Sequence, residues 1–206
     1  MNKDRFDQIA EKYDGPDRIH LAEIISSEVS KLFENKKYHS LLDYGGGTGL
    51  VTFNIEHYFD SITLMDSSPK MIEVFEHKCA ELGIPHIHTQ TGNILLDTSL
   101  LNQKYDVIFL SLVLLHSGDY ESLLRQLYTH LNPNGMLVIV DFNKNEQVFH
   151  PNVYNGFNQS DIKHAYTQLG LTNIDTHTFY SGKNLFMNRD ASLFIATGIK
   201  NNPKSY

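Results

Sequence analysis

Hydrophobic and polar positions follow two different periods along this chain, and the order of the periods predicts its elements. Two segments near the start, Asp4 to Tyr13 and Asp17 to Lys37, have the spacing of amphipathic helices. Short runs of β-forming residues then alternate with helical patterns. The predicted strands are His39 to Tyr44, Ser61 to Asp66, His86 to Thr91, Tyr105 to Leu110 and Met136 to Phe142. This rhythm indicates parallel strands joined by crossover helices.

Capping signals set the limits of two crossover helices. Ser68 followed by Pro69 predicts a helix start, and Gly83 predicts its end. Asp119 predicts the start of another helix, which ends before the turn signal Asn132-Pro133-Asn134-Gly135. The apolar stripes are Ile72, Phe75, Cys79 and Leu82 on the first helix and Leu123, Leu124, Leu127 and Leu131 on the second.

The last third has a different pattern. A helix is predicted near Asp161 to Leu169, followed by strands at Thr172 to Tyr180 and Ala191 to Ile199. A polar connection of about ten residues with Gly182 joins these strands as an antiparallel pair at the sheet edge. We expect the tail, Asn201 to Tyr206, to fray. The predicted class is α/β, a Rossmann-like, doubly wound, seven-stranded sheet, mostly parallel with an antiparallel edge strand and helices on both faces.

Composition and net charge limit the kinds of partner that this chain is expected to bind. The 206 residues, 41% of them hydrophobic, suit one domain over residues 1–206, and the net charge of -7 gives no basic field for nucleic acid or an anionic membrane. Small molecules are the expected partners, and a monomer and a homodimer both remain open. The single Cys79, a polar start and the lack of a long apolar run predict a cytoplasmic protein without a membrane segment.

A strand that runs directly into a cluster of glycines indicates a ligand site. Leu41-Leu42-Asp43-Tyr44-Gly45-Gly46-Gly47-Thr48-Gly49 places four glycines where open α/β sheets bind ligands. Glycines there allow positive φ and a close approach of the backbone to a ligand. A tight turn alone would need only one glycine.

The spacing of these glycines argues against a dinucleotide. The pattern G-x-G-x-x-G would need glycine where Leu50 or Thr52 stands. The residues fit D-x-G-x-G-x-G instead, and Asp66 ends the next strand. A carboxylate there can accept hydrogen bonds from two ribose hydroxyls. A nicotinamide-dependent oxidoreductase is the alternative, and a protein that binds its cofactor without catalysis also stays open.

These motifs resemble the class I S-adenosylmethionine-dependent methyltransferase family over Phe6 to Ile199. The resemblance implies S-adenosyl-L-methionine as cofactor. It puts Tyr13 near the methionine part, Gly45 and Gly47 against the amino acid and ribose, and Ser67 and Met71 beside the adenine, with Asp66 on the ribose. The implied cofactor-binding residues are Tyr13, Asp43, Gly45, Gly46, Gly47, Gly49, Asp66, Ser67, Met71, Asn93, Ile94 and Ser111.

The resemblance also bears on the acceptor. Asn93 stands where the family often has an aspartate that accepts from the adenine amino group, and an amide oxygen can accept the same bond. After the fourth strand the chain reads Leu110-Ser111-Leu112-Val113 rather than the Asn-Pro-Pro-Tyr of enzymes that methylate adenine or glutamine amino groups. Together with the acidic charge, this favours a small-molecule acceptor. The implied division is 1–37 as a cover, 38–142 as the cofactor-binding core and 143–199 as the substrate side.

The sequence offers few catalytic candidates. Methyl transfer from a sulfonium needs alignment and exclusion of water more than acid-base groups. His116 could be a general base for a hydroxyl or acidic carbon, or a structural histidine bonded to backbone. His150, Tyr154 and Phe157 could form a substrate lid or simply pack a long loop. No metal site is expected, because the histidines 86 and 88 lack further ligands.

Overall fold

The computed structural model describes residues 3–202. Residues 203–206 of the predicted fraying tail lie outside the described residues. Seven strands form one sheet in the order β3-β2-β1-β4-β5-β7-β6. The strands are β1 (Tyr38–Tyr44), β2 (Phe59–Asp66), β3 (Ile87–Thr91), β4 (Tyr105–Ser111), β5 (Leu131–Phe142), β6 (Leu171–Phe186) and β7 (Arg189–Lys200). The helices are α1 (Lys3–Ile9), α2 (Pro16–Phe33), α3 (Thr52–Ile55), α4 (Pro69–Leu82), α5 (Tyr120–Thr129) and α6 (Gln159–Gln168).

The chain divides into two compact units, and the first covers residues 1–102. Strands β1, β2 and β3 pair in parallel there, as the alternation predicts. The first predicted helix is split into α1 and a 3-10 turn at Ala10–Lys12. The prediction that the second helix reaches Lys37 is wrong: α2 ends at Phe33, because the chain reverses through Asn35, whose φ is 61°.

The helices that follow β1 and β2 differ in length. The helix after the glycines, α3, is only four residues long and is followed by a 3-10 turn. Helix α4 begins at Pro69 and ends at Leu82, directly before Gly83, whose φ is 65°, as the capping signals predict. Leu82 is 62% exposed, so its place in the buried stripe is wrong. The apolar cluster beneath α4 reaches only Cys79 and Ile87, which leaves the last turn in solvent.

The second unit covers residues 103–206 and contains the other four strands. Strands β4 and β5 are parallel, whereas β7 runs antiparallel to both β5 and β6. Strand β5 begins at Leu131, which is therefore a buried strand residue and not part of the α5 stripe. The predicted turn before β5 is an irregularity within it: pairing passes from Leu131 to Met136, and Asn134 takes a φ of 62°.

The connection between the last two strands is much shorter than predicted. Phe186 pairs with Arg189, so the hairpin turn contains only Met187 and Asn188, with φ values of 50° and 59°. Strand β6 lies at the edge of the sheet and is largely exposed, so its polar residues looked like a loop. Strand β7 lies one position inward. The predicted fold class is confirmed, with helices packed around a mostly parallel seven-stranded sheet.

Candidate active site

The glycine loop between β1 and α3 is shaped by positive φ angles. Gly45, Gly47 and Gly49 have φ values of 76°, 58° and 79°. A β-carbon at Gly49 would lie 2.3 Å from the Phe75 ring, so the ring leaves no room for a side chain at this position. A β-carbon at Gly47 would meet no atom within 4 Å. The loop therefore packs on α4 through one glycine and presents bare backbone to open space through another.

Asp66, the last residue of β2, is tied to this loop. Its Oδ2 accepts a hydrogen bond from the Gly47 N–H, with 3.0 Å between the two heavy atoms, and its Oδ1 accepts from the Ser68 N–H at 2.8 Å. Burial raises the pKa of Asp66, while hydrogen bonds from the Ser68, Gly47 and Ser67 backbones lower it. Each carboxylate oxygen has two lone pairs, so both can still accept a ribose hydroxyl.

Ser67 and Met71, which the resemblance puts beside the adenine, follow Asp66 at the start of α4. The Ser67 hydroxyl oxygen is buried and has no hydrogen-bond partner among residues 3–202. A buried hydroxyl without a partner is costly, and a polar ligand at this place would satisfy it. Met71 is 1% exposed and lies in the first turn of the helix. The bare Gly47 backbone, the Asp66 carboxylate and the Ser67 hydroxyl thus fit the predicted nucleoside.

Asp43 lies beneath the loop and does not face open space. It is 2% exposed, and its Oδ2 accepts a hydrogen bond from the Thr52 hydroxyl. Burial raises the pKa of Asp43 to about 7, against the lowering effect of the Thr52 bond. A β-carbon at Gly46 would come 2.8 Å from the same oxygen. Asp43 therefore supports the loop from beneath, and the half-buried Gly46 turns its β-carbon direction towards it.

The segment after α1 brings Tyr13 to the same loop. Asp14 accepts a hydrogen bond from the Thr48 hydroxyl at 2.5 Å and pairs with Lys78. Burial raises the pKa of Tyr13, and the charge of Arg18, whose guanidinium lies 4.1 Å from the ring centroid, lowers it. The Asp66 charge also raises this pKa, which puts the phenol within its field. The Asp14 bond to Thr48 thus holds the segment that carries Tyr13 beside the glycine loop, and its place near the methionine part stays a prediction.

A second carboxylate holds α1 in place, and no local pattern revealed it. Asp7 accepts a hydrogen bond from the Ser68 hydroxyl at 2.6 Å and from the Lys70 N–H at 3.4 Å. The Ser68 bond, the largest effect, lowers the pKa of Asp7. Because Asp7 and Ser68 are 61 positions apart, only the folded structure brings them together.

Asn93 is already engaged by protein groups. Its Oδ1 accepts hydrogen bonds from the Tyr44 hydroxyl at 3.1 Å and from the Leu95 N–H at 2.9 Å. Both lone pairs are thereby used, so acceptance from an adenine amino group would require one of these bonds to be replaced. Burial raises the pKa of Tyr44 to about 12. Ile94 is fully buried.

In the second unit, a buried carboxylate organises the segment that carries His116. Asp141 is fully buried, and its Oδ2 accepts from the Leu115 N–H at 3.2 Å while its Oδ1 accepts from the Phe142 N–H at 2.8 Å. Burial raises the pKa of Asp141 to about 7, and the backbone bonds lower it. The N-cap residue of the 3-10 turn Leu114–His116 makes no side-chain hydrogen bond. Asp141 caps the turn instead, by accepting from the Leu115 N–H.

Sequence reasoning missed Asp141, although an acidic residue near the end of an apolar strand is a detectable signal. Ser111, by contrast, ends β4, one residue past the predicted end at Leu110, and is half-buried. Leu112 follows with a φ of 55°, an uncommon backbone state for leucine. His116 lies at the end of the 3-10 turn and is also half-buried.

Two of the three predicted substrate-side residues lie together. Tyr154 and Phe157 form a cluster with Tyr120, with ring centroids between 5.3 and 5.8 Å apart. The Tyr154 N–H donates to the Leu115 carbonyl at 2.9 Å, and its hydroxyl donates to the Gly118 carbonyl at 2.6 Å. The loop after β5 is thereby fastened to the His116 segment.

His150 is placed differently from these two aromatic residues. Its Nδ1 accepts from the Asn152 N–H at 3.1 Å, a contact within its own turn. The neighbouring Phe149 is 91% exposed.

The described residues hold neither a cluster of metal ligands nor a membrane-spanning helix. Residues 3–202 contain no group of three or more histidine, cysteine, aspartate or glutamate side chains that could hold a metal ion. Nε2 of His86 lies 2.8 Å from the Glu56 carboxylate, an ordinary ion-pair distance. Within the same residues, no helix combines the length and apolar character needed to cross a bilayer.

Comparison with known proteins decides the family. A family model described as a methyltransferase domain matches residues 18–185. The chain belongs to this methyltransferase family. Its sequence is 24% identical to an uncharacterized methyltransferase of Schizosaccharomyces pombe, over 89% of this chain and 75% of that protein. It is 27% identical to a ubiquinone/menaquinone biosynthesis C-methyltransferase of Pseudoalteromonas translucida, over 71% of this chain and 61% of the relative, which is thus longer than the matched part.

The fold is found in solved methyltransferases as well. A structure described as a SAM-dependent methyltransferase from Aquifex aeolicus aligns with a TM-score of 0.67 and 16% identity, over 94% of this chain and 97% of that one. The predicted family, the methyltransferase class of enzyme and the S-adenosylmethionine cofactor are confirmed by this family membership. The nicotinamide alternative is set aside.

Proposed function

We propose that this methyltransferase acts on a small-molecule acceptor and holds its cofactor on the glycine loop and Asp66. The observation that carries the proposal is the Asp66 carboxylate, bonded to the Gly47 N–H beside the buried Ser67 hydroxyl, which has no partner within residues 3–202. S-adenosylmethionine, when bound, supplies a methyl group already activated on a sulfonium. The chain then needs to bind, orient and exclude water.

The predicted cofactor residues take distinct parts in this proposal. The two oxygens of Asp66 accept the ribose hydroxyls, and the exposed backbone at Gly47 lets the nucleoside approach closely. Ser67 and Met71 lie beside the adenine, and Tyr13 covers the methionine part from the N-terminal segment. We also assign Ser111, at the end of β4, and Asn93 and Ile94, just after β3, to the cofactor. Asn93 exchanges one of its two present bonds for the adenine amino group.

The acceptor side belongs to the second unit. His116 takes a proton from the acceptor where the acceptor is a hydroxyl or an acidic carbon, and Asp141 positions it through the Leu114–His116 backbone. Tyr154 and Phe157 shape the acceptor pocket. Support for a small acceptor comes from the acidic charge and from the quinone-pathway relative. We assign residues 1–37 to the cover, 38–142 to the cofactor core and 143–199 to the acceptor side.

Calorimetric titration with S-adenosylmethionine, S-adenosylhomocysteine and NADH tests the cofactor site. We expect the two sulfur nucleosides to bind with micromolar affinity, about -8 kcal/mol, and NADH not to bind. Asp66→Asn should weaken binding at least about tenfold, because an amide replaces one acceptor oxygen with a donor. Asp60→Ala, at the exposed opposite end of β2, is the matched control and should bind like the parent. Equal affinity in Asp66→Asn and Asp60→Ala would remove Asp66 from the site.

Activity assays test the small-molecule acceptor and the role assigned to His116. An acceptor screen that follows release of S-adenosylhomocysteine should yield a methylated small molecule. His116→Gln should then slow methyl transfer by about 10²-fold or more without changing nucleoside affinity. His164→Gln on the exposed face of α6 is the control. Parental turnover in His116→Gln would show that this histidine is structural and not a general base.

A further inference from the structure

A polar cavity of about 830 Å³ lies directly beyond the carboxyl end of β5. One wall is the segment from Asn143 to Gln147, and the other is the outer part of the β6–β7 hairpin. The Asn143 N–H donates to the Ser192 carbonyl at 2.9 Å, which joins the two walls at the base. Strand β7 pairs with β5 only from Leu193 onward, so its first residues pair with β6 alone and border the cavity.

The cavity has an excess of positive charge in a chain whose net charge is -7. Its charged lining residues are Lys144, Lys183, Arg189 and the single acid Asp190. Oδ1 of Asp190 accepts from the Asn184 N–H at 3.1 Å, and Lys144 lies 3.3 Å from the exposed Glu146 carboxylate. Within residues 3–202, no ion pair engages Lys183 or Arg189. Two cations therefore remain for a ligand.

The walls are fixed before any ligand arrives. The Phe142 and Phe186 rings stack with centroids 4.2 Å apart, which pins the hairpin to the end of β5. The Asn143 side-chain amide donates to the Thr178 and Ser192 hydroxyls at 3.0 and 2.9 Å. Little ordering entropy would thus be lost on binding.

We propose that this cavity binds the carboxylate or phosphate group of an anionic methyl acceptor, with Lys183 and Arg189 as the charged donors. Arginine forms paired hydrogen bonds with either group, and lysine adds a point charge. The rest of the lining is mostly amide and hydroxyl, so an apolar ring would desolvate polar groups without replacing their bonds. The proposal rests on the proposed function, because it names the chemical class of the acceptor.

Amide NMR spectra of the ¹⁵N-labelled full chain test this site without knowledge of the acceptor. Orthophosphate and citrate are titrated separately at constant ionic strength, with chloride as the reference. We expect saturable shifts at the amides of Gly182 to Ser192 and Asn143 to Asn145 with at least one of the two anions. The anion that binds more tightly tells a phosphorylated acceptor from a carboxylic acid.

Two double variants test whether Lys183 and Arg189 themselves bind the anion. The double variant Lys183→Gln, Arg189→Gln should weaken anion affinity at least about tenfold. The double variant Lys163→Gln, Arg125→Gln removes the same charge from exposed positions on α6 and α5 and should leave it unchanged. Shifts that are linear, equal to those with chloride, or equal in the two double variants overturn the site.

Calorimetry with S-adenosylhomocysteine on the same samples separates the two proposals. Nucleoside binding without anion binding refutes only the cavity. Anion binding without nucleoside binding refutes the proposed function and, with it, the assignment of the anion to an acceptor. Once an acceptor is known, the Lys183→Gln, Arg189→Gln pair should raise its KM about tenfold and leave kcat close to the parent.

Discussion

The glycine loop after β1 and the segment after β5 both follow a buried strand, but they are fixed in different ways. The loop is held by backbone conformation: three glycines at positive φ and an N–H bonded to Asp66. The segment after β5 is held by side-chain amides and stacked rings, such as Asn143 and Phe142. Backbone constraints leave a signature in the sequence, whereas long-range side-chain contacts do not. The first region was therefore predictable and the second was not.

The largest effect is expected where a side chain is added between the glycine loop and α4. Gly49→Ala combines a φ of 79° with a β-carbon 2.3 Å from the Phe75 ring, so we expect a loss of about 3 kcal/mol or more in unfolding free energy. Gly47→Ala carries only the backbone strain at 58° and should lose about 1 kcal/mol. Urea unfolding measures both. Equal losses would show that packing against α4 does not hold the loop.

Removing the carboxylate under the His116 segment should have the next largest effect. Asp141→Ala leaves the buried Leu115 and Phe142 N–H groups without acceptors, at a cost of about 2 kcal/mol. Thermal unfolding measures this loss. Asp97→Ala, which removes an exposed cap of a 3-10 turn, is the control and should lose about 1 kcal/mol or less. A smaller loss in Asp141→Ala than in this control would contradict the cap assigned to Asp141.

The two fully buried aspartates should also make stability depend on pH. Burial raises the pKa of Asp43 and of Asp141 to about 7, so the folded state retains protons that the unfolded state releases. Their contribution is fully present below the unfolded pKa, near 4, and is lost as pH rises through the folded pKa near 7. We expect unfolding free energy to fall between pH 5 and pH 7 by up to about 1.4 kcal/mol per pH unit for each group.

Uncharged variants give the control for this pH dependence. Asp43→Asn and Asp141→Asn should each flatten the slope, because the titrating group is gone. Urea unfolding from pH 5 to 8 provides the values. A stability that rises with pH in the parent, or a slope unchanged in both variants, would show that these carboxyls stay ionised.

The smallest effect concerns the aromatic cluster beside the His116 segment. Tyr154→Phe removes only the hydrogen bond to the Gly118 carbonyl and keeps the ring against Tyr120. We expect a loss of about 1 kcal/mol in thermal unfolding. Tyr180→Phe on the edge strand β6 is the control and should lose less. A loss of several kcal/mol in Tyr154→Phe would mean that this hydroxyl holds the whole loop.

The sequence alone predicted the elements whose determinants are local. The limits of α4 follow from Ser68, Pro69 and Gly83, and the loop follows from its glycines. The predicted strand ends at Tyr180, whereas β6 continues to Phe186. An exposed edge strand does not need apolar residues, and the turn at Met187 and Asn188 lacks the usual glycine, so neither gave a signal.

Other contacts left no signal that a local pattern could detect. Asp7 and Ser68, or Asp14 and Lys78, meet only because the chain folds. Asp141 could have been noticed as an acid in an apolar strand, but its partners could not.

A crystal structure with S-adenosylhomocysteine would show directly whether Asp66 holds the cofactor. We expect both ribose hydroxyls within hydrogen-bond distance of the Asp66 carboxylate, about 2.5–3.0 Å, with the adenine beside Ser67 and Met71 and the nucleoside over the bare backbone of Gly47. A nucleoside bound elsewhere, or with its ribose away from Asp66, would contradict it.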